Sequence, residues 1–299
     1  GVALQVVMLP GSYLPHFDVS LVLGVLAAGA AALTVFALVV GRASPLLPVA
    51  AVGAAAVASV AVDAAFGWPS LLTPLLGGSA LDGVRFYGLG NAYAGVLLSG
   101  VVLVAAVVPA SAGAALILAS AVFAGAPWFG ADFGGGLTLF AVAGVWIALR
   151  TRRRLDAAAV GIVAASFVLG FAAIVGMHQV AEDPTHVTRA TGGATGLAGV
   201  VETFWHRLRL NLESTAATPV VWPALLGLPA WLAVAWRRAG PFGRALEARD
   251  AWRDAVIVLA VGGILGYVLN DTFGMASIAF LYLSLAMVFP ALAVRWKSG

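Results

Sequence analysis

Arg85, Tyr87 and Asn91 share one string, Asp82-Gly-Val-Arg-Phe-Tyr-Gly-Leu-Gly-Asn-Ala-Tyr-Ala-Gly95, in which glycines stand at 83, 88, 90 and 95. An arginine carries a permanently charged, planar fork of donors that matches phosphate or carboxylate. Glycines permit sharp turns and let another group approach the backbone closely. Asn91 opens an apolar run, and a helix N-terminus there adds backbone donors and a dipole that favours anions. The string has the make-up of an anion site. A plainer use of the same residues is Asn91 as a helix cap and Arg85 reaching to lipid headgroups.

Three further groups carry reactive types. Gly130-Ala-Asp-Phe-Gly-Gly-Gly136 presents Asp132 beside a glycine run expected to form a flexible or re-entrant turn, and Leu269-Asn-Asp-Thr-Phe-Gly-Met275 presents Asn270 and Asp271, either of which can cap the following helix. Asp63 stands in an otherwise apolar stretch, where a carboxylate needs a partner, and Arg85 is the nearest candidate. The long polar segment from His178 to Pro219 holds His178, His186, Arg189, His206, Arg207 and Arg209. Its first part suits a mobile lid. Its second is amphipathic at helical spacing: Val201, Phe204, Trp205, Leu208 and Leu212 form an apolar stripe, while Glu202, His206, Arg209 and Glu213 share the other face. Such a helix lies along a bilayer surface. His206 and His178 are candidate bases, with surface or packing histidines as the plain alternative. No HExxH or HxxxH spacing occurs, so no metal is expected, with Mg²⁺ on Asp63, Asp132 and Asp271 as the remaining option. Nucleotide phosphate loops of the GxxxxGK[ST] type are absent.

The elements that must position these residues are membrane spans. Hydrophobic residues make up 62% of the 299, charged residues 10%, and the mean hydropathy is +1.02, whereas a soluble domain carries about 25% charged residues. Backbone groups within lipid need internal partners, so the apolar runs must be helical. Spans are expected at Val19–Val40, Leu46–Phe66, Asn91–Val108, Ala112–Ala126, Leu137–Leu149, Ala157–Met177, Val220–Trp236, Ala255–Leu269 and Met275–Val294. This predicts an all-α, polytopic transmembrane helical bundle of about nine spans. It forms a single membrane domain over 1–299, with one long extracytoplasmic loop, 178–219, carrying the interfacial helix.

Lys and Arg divide unevenly between the alternate ends. Twelve (Arg42, Arg150, Arg152, Arg153, Arg154, Arg237, Arg238, Arg244, Arg249, Arg253, Arg295 and Lys297) fall on one side and four (Arg85, Arg189, Arg207 and Arg209) on the other, while the acidic residues divide four to nine the opposite way. The basic side is therefore expected in the cytoplasm, with the N-terminus of the first full span outside and the C-terminus inside. This also explains the pI of 9.7 without nucleic acid. The chain has no cysteine, which excludes thiolate chemistry and disulfides. It opens at Gly1 with neither an initiator Met nor a signal-peptide pattern, so a longer parent chain with an upstream soluble domain is expected.

Arg85-Phe-Tyr-Gly-Leu-Gly-Asn91-Ala-Tyr, together with the Gly130–Gly136 turn and Asn270-Asp271-Thr272, resembles a set of uncharacterised bacterial multi-pass membrane proteins. In these a similar region is sometimes joined to an alkaline-phosphatase-like segment. More distantly the chain is similar to O-antigen ligases and polymerases, which transfer glycans from polyprenyl carriers outside the cytoplasmic membrane. Arg85, Gly88, Asn91 and Ala94 match their Arg-Gly-Asn pattern. Arg189, Arg207, Arg209, His178 and His206 stand where those enzymes carry loop Arg and His. The chain departs in having fewer helices, no Pro near the Asn and no matching loop motif.

Three functions follow as expectations. The first is a cell-envelope transferase, a glycosyltransferase or ligase, acting on a polyprenyl-phosphate-linked donor without cofactor. Arg85, Tyr87, Asn91, the loop arginines, Asn270 and Asp271 would hold substrate, and His206, His178, Asp63 and Asp132 would move or orient the proton. The second is a transporter or flippase of an anionic or lipid-linked substrate. The third is a membrane anchor for a soluble enzyme or envelope protein. The lipid bilayer is the partner common to all three.

Overall fold

A computed structural model describes residues 46–67, 88–152, 156–181, 196–237, 250–270 and 272–297, with single positions at 28, 31, 32, 35, 39, 242 and 246. Among these residues all regular structure is helical and no strand occurs. Nine α-helices have defined bounds there: α1 (Leu47–Ala65), α2 (Asn91–Ala105), α3 (Ala110–Gly125), α4 (Phe133–Arg152), α5 (Ala157–Gln179), α6 (Gly196–Ala217), α7 (Trp222–Arg237), α8 (Asp250–Leu269) and α9 (Gly274–Lys297). By length and composition α1, α4, α5 and α8 are able to cross a membrane, and α6 with α7 passes the same test as a pair bent by 110°. Eight of the nine expected spans coincide with helices. Val19–Val40 lies outside the described residues except at 28, 31, 32, 35 and 39, which are helical.

The helix ends follow from local chemistry. The Asp156 carboxylate accepts the Ala159 N–H at 2.9 Å and caps α5. Pro109 precedes α3, and Pro48 stands in the first turn of α1, where a missing N–H is harmless. One expectation is corrected. Gly134, Gly135 and Gly136 form the first turn of α4 and are not a flexible or re-entrant loop, because each lies flush against a neighbouring group and the contacts replace the missing side chains.

α2, α4 and α8 form the centre of the bundle. α1 lies against α2, α3 against α2 and α4, α5 against α4, α7 against α8, and α9 against α2 and α8. α1 and α2 cross where Gly53 faces Gly100: a Cβ on Gly100 would stand 2.7 Å from the Gly53 carbonyl oxygen. Such a close approach is the mode by which membrane helices associate without a hydrophobic driving force. α5 shows which medium surrounds the bundle. It is the most apolar of the four spans and the least covered, with 17% of its span buried against 83% for α4. Its outward Val160, Val168 and Leu169 suit hydrocarbon and not water.

The end of the bundle where α4 stops and α8 starts is tied by charge. Arg150 meets the largely buried carboxylate of Asp254 at 3.3 Å and lies 5.7 Å from the Trp146 ring. Arg253 covers Trp236 at 6.0 Å. Here the side expected to be chemically plain holds an interhelical ion pair.

Gly100→Val should lower stability by about 1–3 kcal/mol through overpacking, whereas Gly161→Val, with open space around it, should change it by less than about 0.5 kcal/mol. Thermal unfolding of the two variants in one detergent compares them directly.

Candidate functional site

Three glycine-bearing segments, 88–95, 130–136 and 269–275, meet at the opposite end of the bundle, where α2, α4 and α9 begin. The Leu89 N–H donates to the Gly130 carbonyl at 2.6 Å. Gly88, at φ +87°, abuts that same carbonyl so closely that a Cβ has no room. Asn91 Nδ2 donates to Thr272 Oγ1 at 2.9 Å. A Cβ on Gly274 would lie 3.2 Å from the Ala92 nitrogen, and one on Gly135 would lie 3.0 Å from the Ala94 Cβ. Gly134 abuts Asn270 Oδ1. The first turn of α2 therefore touches those of α4 and α9, while Gly134 also abuts the Leu269 carbonyl at the end of α8, so helix starts and a helix end, about half a charge of opposite sign each, interleave in one place.

Asp132 sits among them, 1% exposed, immediately before α4 and against Gly135. A carboxylate at this position is favoured by the dipole. Its N–H donates to the Ala124 carbonyl at 2.8 Å, and its carbonyl accepts from Gly136 at 2.9 Å. The preceding Ala131 has φ +49°, the single non-glycine positive φ among the described residues. An alanine in this left-handed region carries strain of roughly 1–2 kcal/mol. Asn270, 2% exposed, donates from Nδ2 to the Gly266 carbonyl at 2.9 Å, which turns Oδ1 toward Gly134.

Helix register brings two further residues to this depth. α1 and α2 run antiparallel with Gly53 beside Leu103 and Val57 beside Gly100, which sets the fully buried Asp63 level with Tyr93. α4 and α5 run antiparallel with Phe140 beside Gly170 and Gly136 beside Ile174, which sets the fully buried His178 level with Asp132. His178 belongs to the last turn of α5 and not to the loop, and its Nε2 lies 3.0 Å from the Gly125 carbonyl. A carbonyl oxygen only accepts, so Nε2 carries the hydrogen. This contact ties α5 to the end of α3.

α6 holds the remaining described candidates. His206 is exposed, Arg207 is half-buried, and Arg209 pairs with Glu213 at 2.8 Å. The hydrogen bond and charge of Glu213 raise the Arg209 pKa above its ordinary value. Arg85, Tyr87, Arg189 and Asp271 lie outside the described residues, as does the expected Asp63–Arg85 pair. Among the described residues no three His, Asp or Glu side chains gather as a metal site. The structure thus brings the segments that carry Asn91, Asp132 and Asn270 into contact, and Asp63 and His178 to the same depth.

Two buried residues, Asn211 and Thr215, escaped the sequence reading. Asn211 Nδ2 lies 2.5 Å from the Tyr267 carbonyl and 3.3 Å from the Asn270 carbonyl, and Thr215 Oγ1 lies 2.9 Å from the Tyr267 hydroxyl. Their spacing of four residues, between the apolar stripe and the charged face, was the available signal. Comparison with protein-family models, curated proteins and solved structures finds no match for this chain.

His178→Leu should cost about 1–3 kcal/mol by leaving the Gly125 carbonyl without its donor, and His178→Gln should recover most of this. Chemical denaturation of both variants checks the packing role. A catalytic base would instead show wild-type stability and lost turnover in His178→Gln.

Proposed function

We propose that this protein is a transferase at the extracytoplasmic face of a bacterial cytoplasmic membrane, acting on a polyprenyl-phosphate-linked glycan or a similar lipid-phosphate substrate. The observation that carries the reading is the packing of the first turn of α2 against those of α4 and α9, beside Asn91, Asp132 and Asn270. Such an arrangement favours an anionic group, and Arg85 belongs to the segment that leads into it. Depth supports an end-face site over a transport path. The buried Asp, Asn and His side chains of the described spans lie at the bundle ends, while the deeper hydroxyls of Ser59, Ser99 and Thr138 bond to carbonyls of their own helices.

In this reading Arg85, Tyr87, Asn91, Asn270, Asp271 and the loop arginines Arg189, Arg207 and Arg209 hold the lipid (pyro)phosphate. An acceptor hydroxyl attacks the anomeric carbon, and the bond from that carbon to the phosphate oxygen breaks. The phosphate leaves with the electron pair, and the acceptor proton passes to His206 or His178. Asp63 and Asp132 orient the imidazole or the acceptor.

Nine spans, with Arg150–Arg154 and Arg237–Arg253 in the cytoplasm, complete the topology. Exposed aromatics mark both ends as interfaces: Phe66, Trp128, Phe129 and Trp222 stand at helix ends on the Asn91 side and Trp236 at the other. α6 lies along the outer surface, bent by 110° from α7, with Val201, Trp205 and Leu212 turned outward to lipid.

Two experiments test these statements. Native mass spectrometry with undecaprenyl phosphate should show specific retention by the wild type and by Arg237→Ala, and loss in Arg85→Ala and Asn91→Leu. Equal retention in all four, or none, would move the reading to transport or scaffolding. Because the chain is cysteine-free, Trp128→Cys should react with an impermeant maleimide in intact spheroplasts, and Arg237→Cys only after lysis. The reverse pattern would invert the topology.

A further inference from the structure

α6 has three faces. Val201, Trp205 and Leu212 are apolar and exposed, Glu202, His206, Arg209 and Glu213 form a charged face, and Asn211 and Thr215 are buried against the end of α8. The described side chains at 201, 202, 204, 205 and 206 are all exposed, and the buried polar contacts of the helix belong to its C-terminal half. The anchor is polar: one amide nitrogen shared between two carbonyls, and one hydroxyl pair. Because both carbonyls only accept, the Asn211 amide has one permitted orientation. Its Oδ1 is then turned away from them, buried, and without a donor among the described residues. A buried acceptor without a donor carries a desolvation cost that contact with water recovers, so opening this seam has an offsetting gain.

We propose that α6 is a hinged lid riding on the outer membrane surface, and that the Asn211–Thr215 seam against Tyr267 and Asn270 is its latch. The lid rests on the transferase reading in one respect: the site it controls is the corner at which Asn270 faces Gly134. Closed, α6 holds Asn270 from one side while Gly134 holds it from the other. Open, it frees the Asn270 carbonyl and the Asn211 Oδ1 to bond with water or with headgroup hydroxyls, and gives lipid-borne molecules lateral access to the corner. The exposed Val201 and Trp205 stay in the lipid interface in both states, so the motion leaves the larger apolar burial unchanged.

The test is the distance between nitroxide labels on Glu202→Cys and Trp128→Cys, measured by pulsed electron resonance in lipid nanodiscs; no native thiol competes. The wild-type background should show a docked distance and a second, longer one. Asn211→Ala with Thr215→Ala should raise the population at the longer distance about fivefold or more, as loss of one net hydrogen bond implies. Bridging Thr215→Cys to Tyr267→Cys with a short bis-thiosulfonate, in a chain whose labels at 202 and 128 are carried on p-acetylphenylalanine through oxime links and not on thiols, should leave only the docked distance. A single docked distance in both the wild-type background and the Ala variant would overturn the lid. Retention of undecaprenyl phosphate by the same samples reports on the corner and not on the hinge. Its absence throughout would remove the transferase reading and leave the distances to decide the lid.

Discussion

The contact on which this structure depends is backbone against backbone at the start of α2, α4 and α9. The first turn of α2 packs on those of α4 and α9, and the start of α4 on the end of α8, only because glycines at 134, 135 and 274 leave no side chain between them. α2, α4 and α9 bring the positive ends of their dipoles, and the ends of α8 and α3 beside them bring negative ones. Asp132 stands buried just before the start of α4. The same contact fixes Asn91 by its bond to Thr272 and Asn270 by its fit against Gly134. Side chains far apart in sequence are in this way held by the first turns of rigid elements, which positions them better than a loop would.

The two ends of the bundle are built differently. One is glycine-rich, closely packed and lined with amides and a carboxylate. The other is joined by Arg150 and Asp254 and covered by tryptophans. Between them the helices pack through Ala, Val, Leu and Gly, the hydroxyls of Ser59 and Ser99 return to their own helices, and that of Ser166 ties α5 to the Phe140 carbonyl of α4. Chemistry is kept to the ends because a polar group at mid-depth has no water to fall back on.

Much of this was legible in the sequence. Helix positions followed from apolar run length, and Asn91 opens a helix as expected, since a run of eighteen uncharged residues (Asn91–Val108) has few alternatives in lipid. The glycine run at Gly134–Gly136 was misjudged as a turn. Propensity favours that reading, and only the groups packed on each glycine, which sequence does not display, explain the helix. Asn211 was passed over because its partners are the main-chain carbonyls of Tyr267 and Asn270, which leave no mark on residue type. The pair Arg150–Asp254 joins residues 104 positions apart, and sequence shows the two charges without showing that they meet.

α2 and α3 have 15 and 16 residues, about 22–24 Å of helix, against a hydrocarbon thickness of about 30 Å. Trp146 Nε1 donates to the Ala110 carbonyl at 3.1 Å, so their connecting turn stops at the depth of Trp146, one helical turn short of Arg150. The hydrophobic wall at this hairpin is shorter than a bilayer core, a mismatch that thinning, snorkelling flanks or a further packed element takes up.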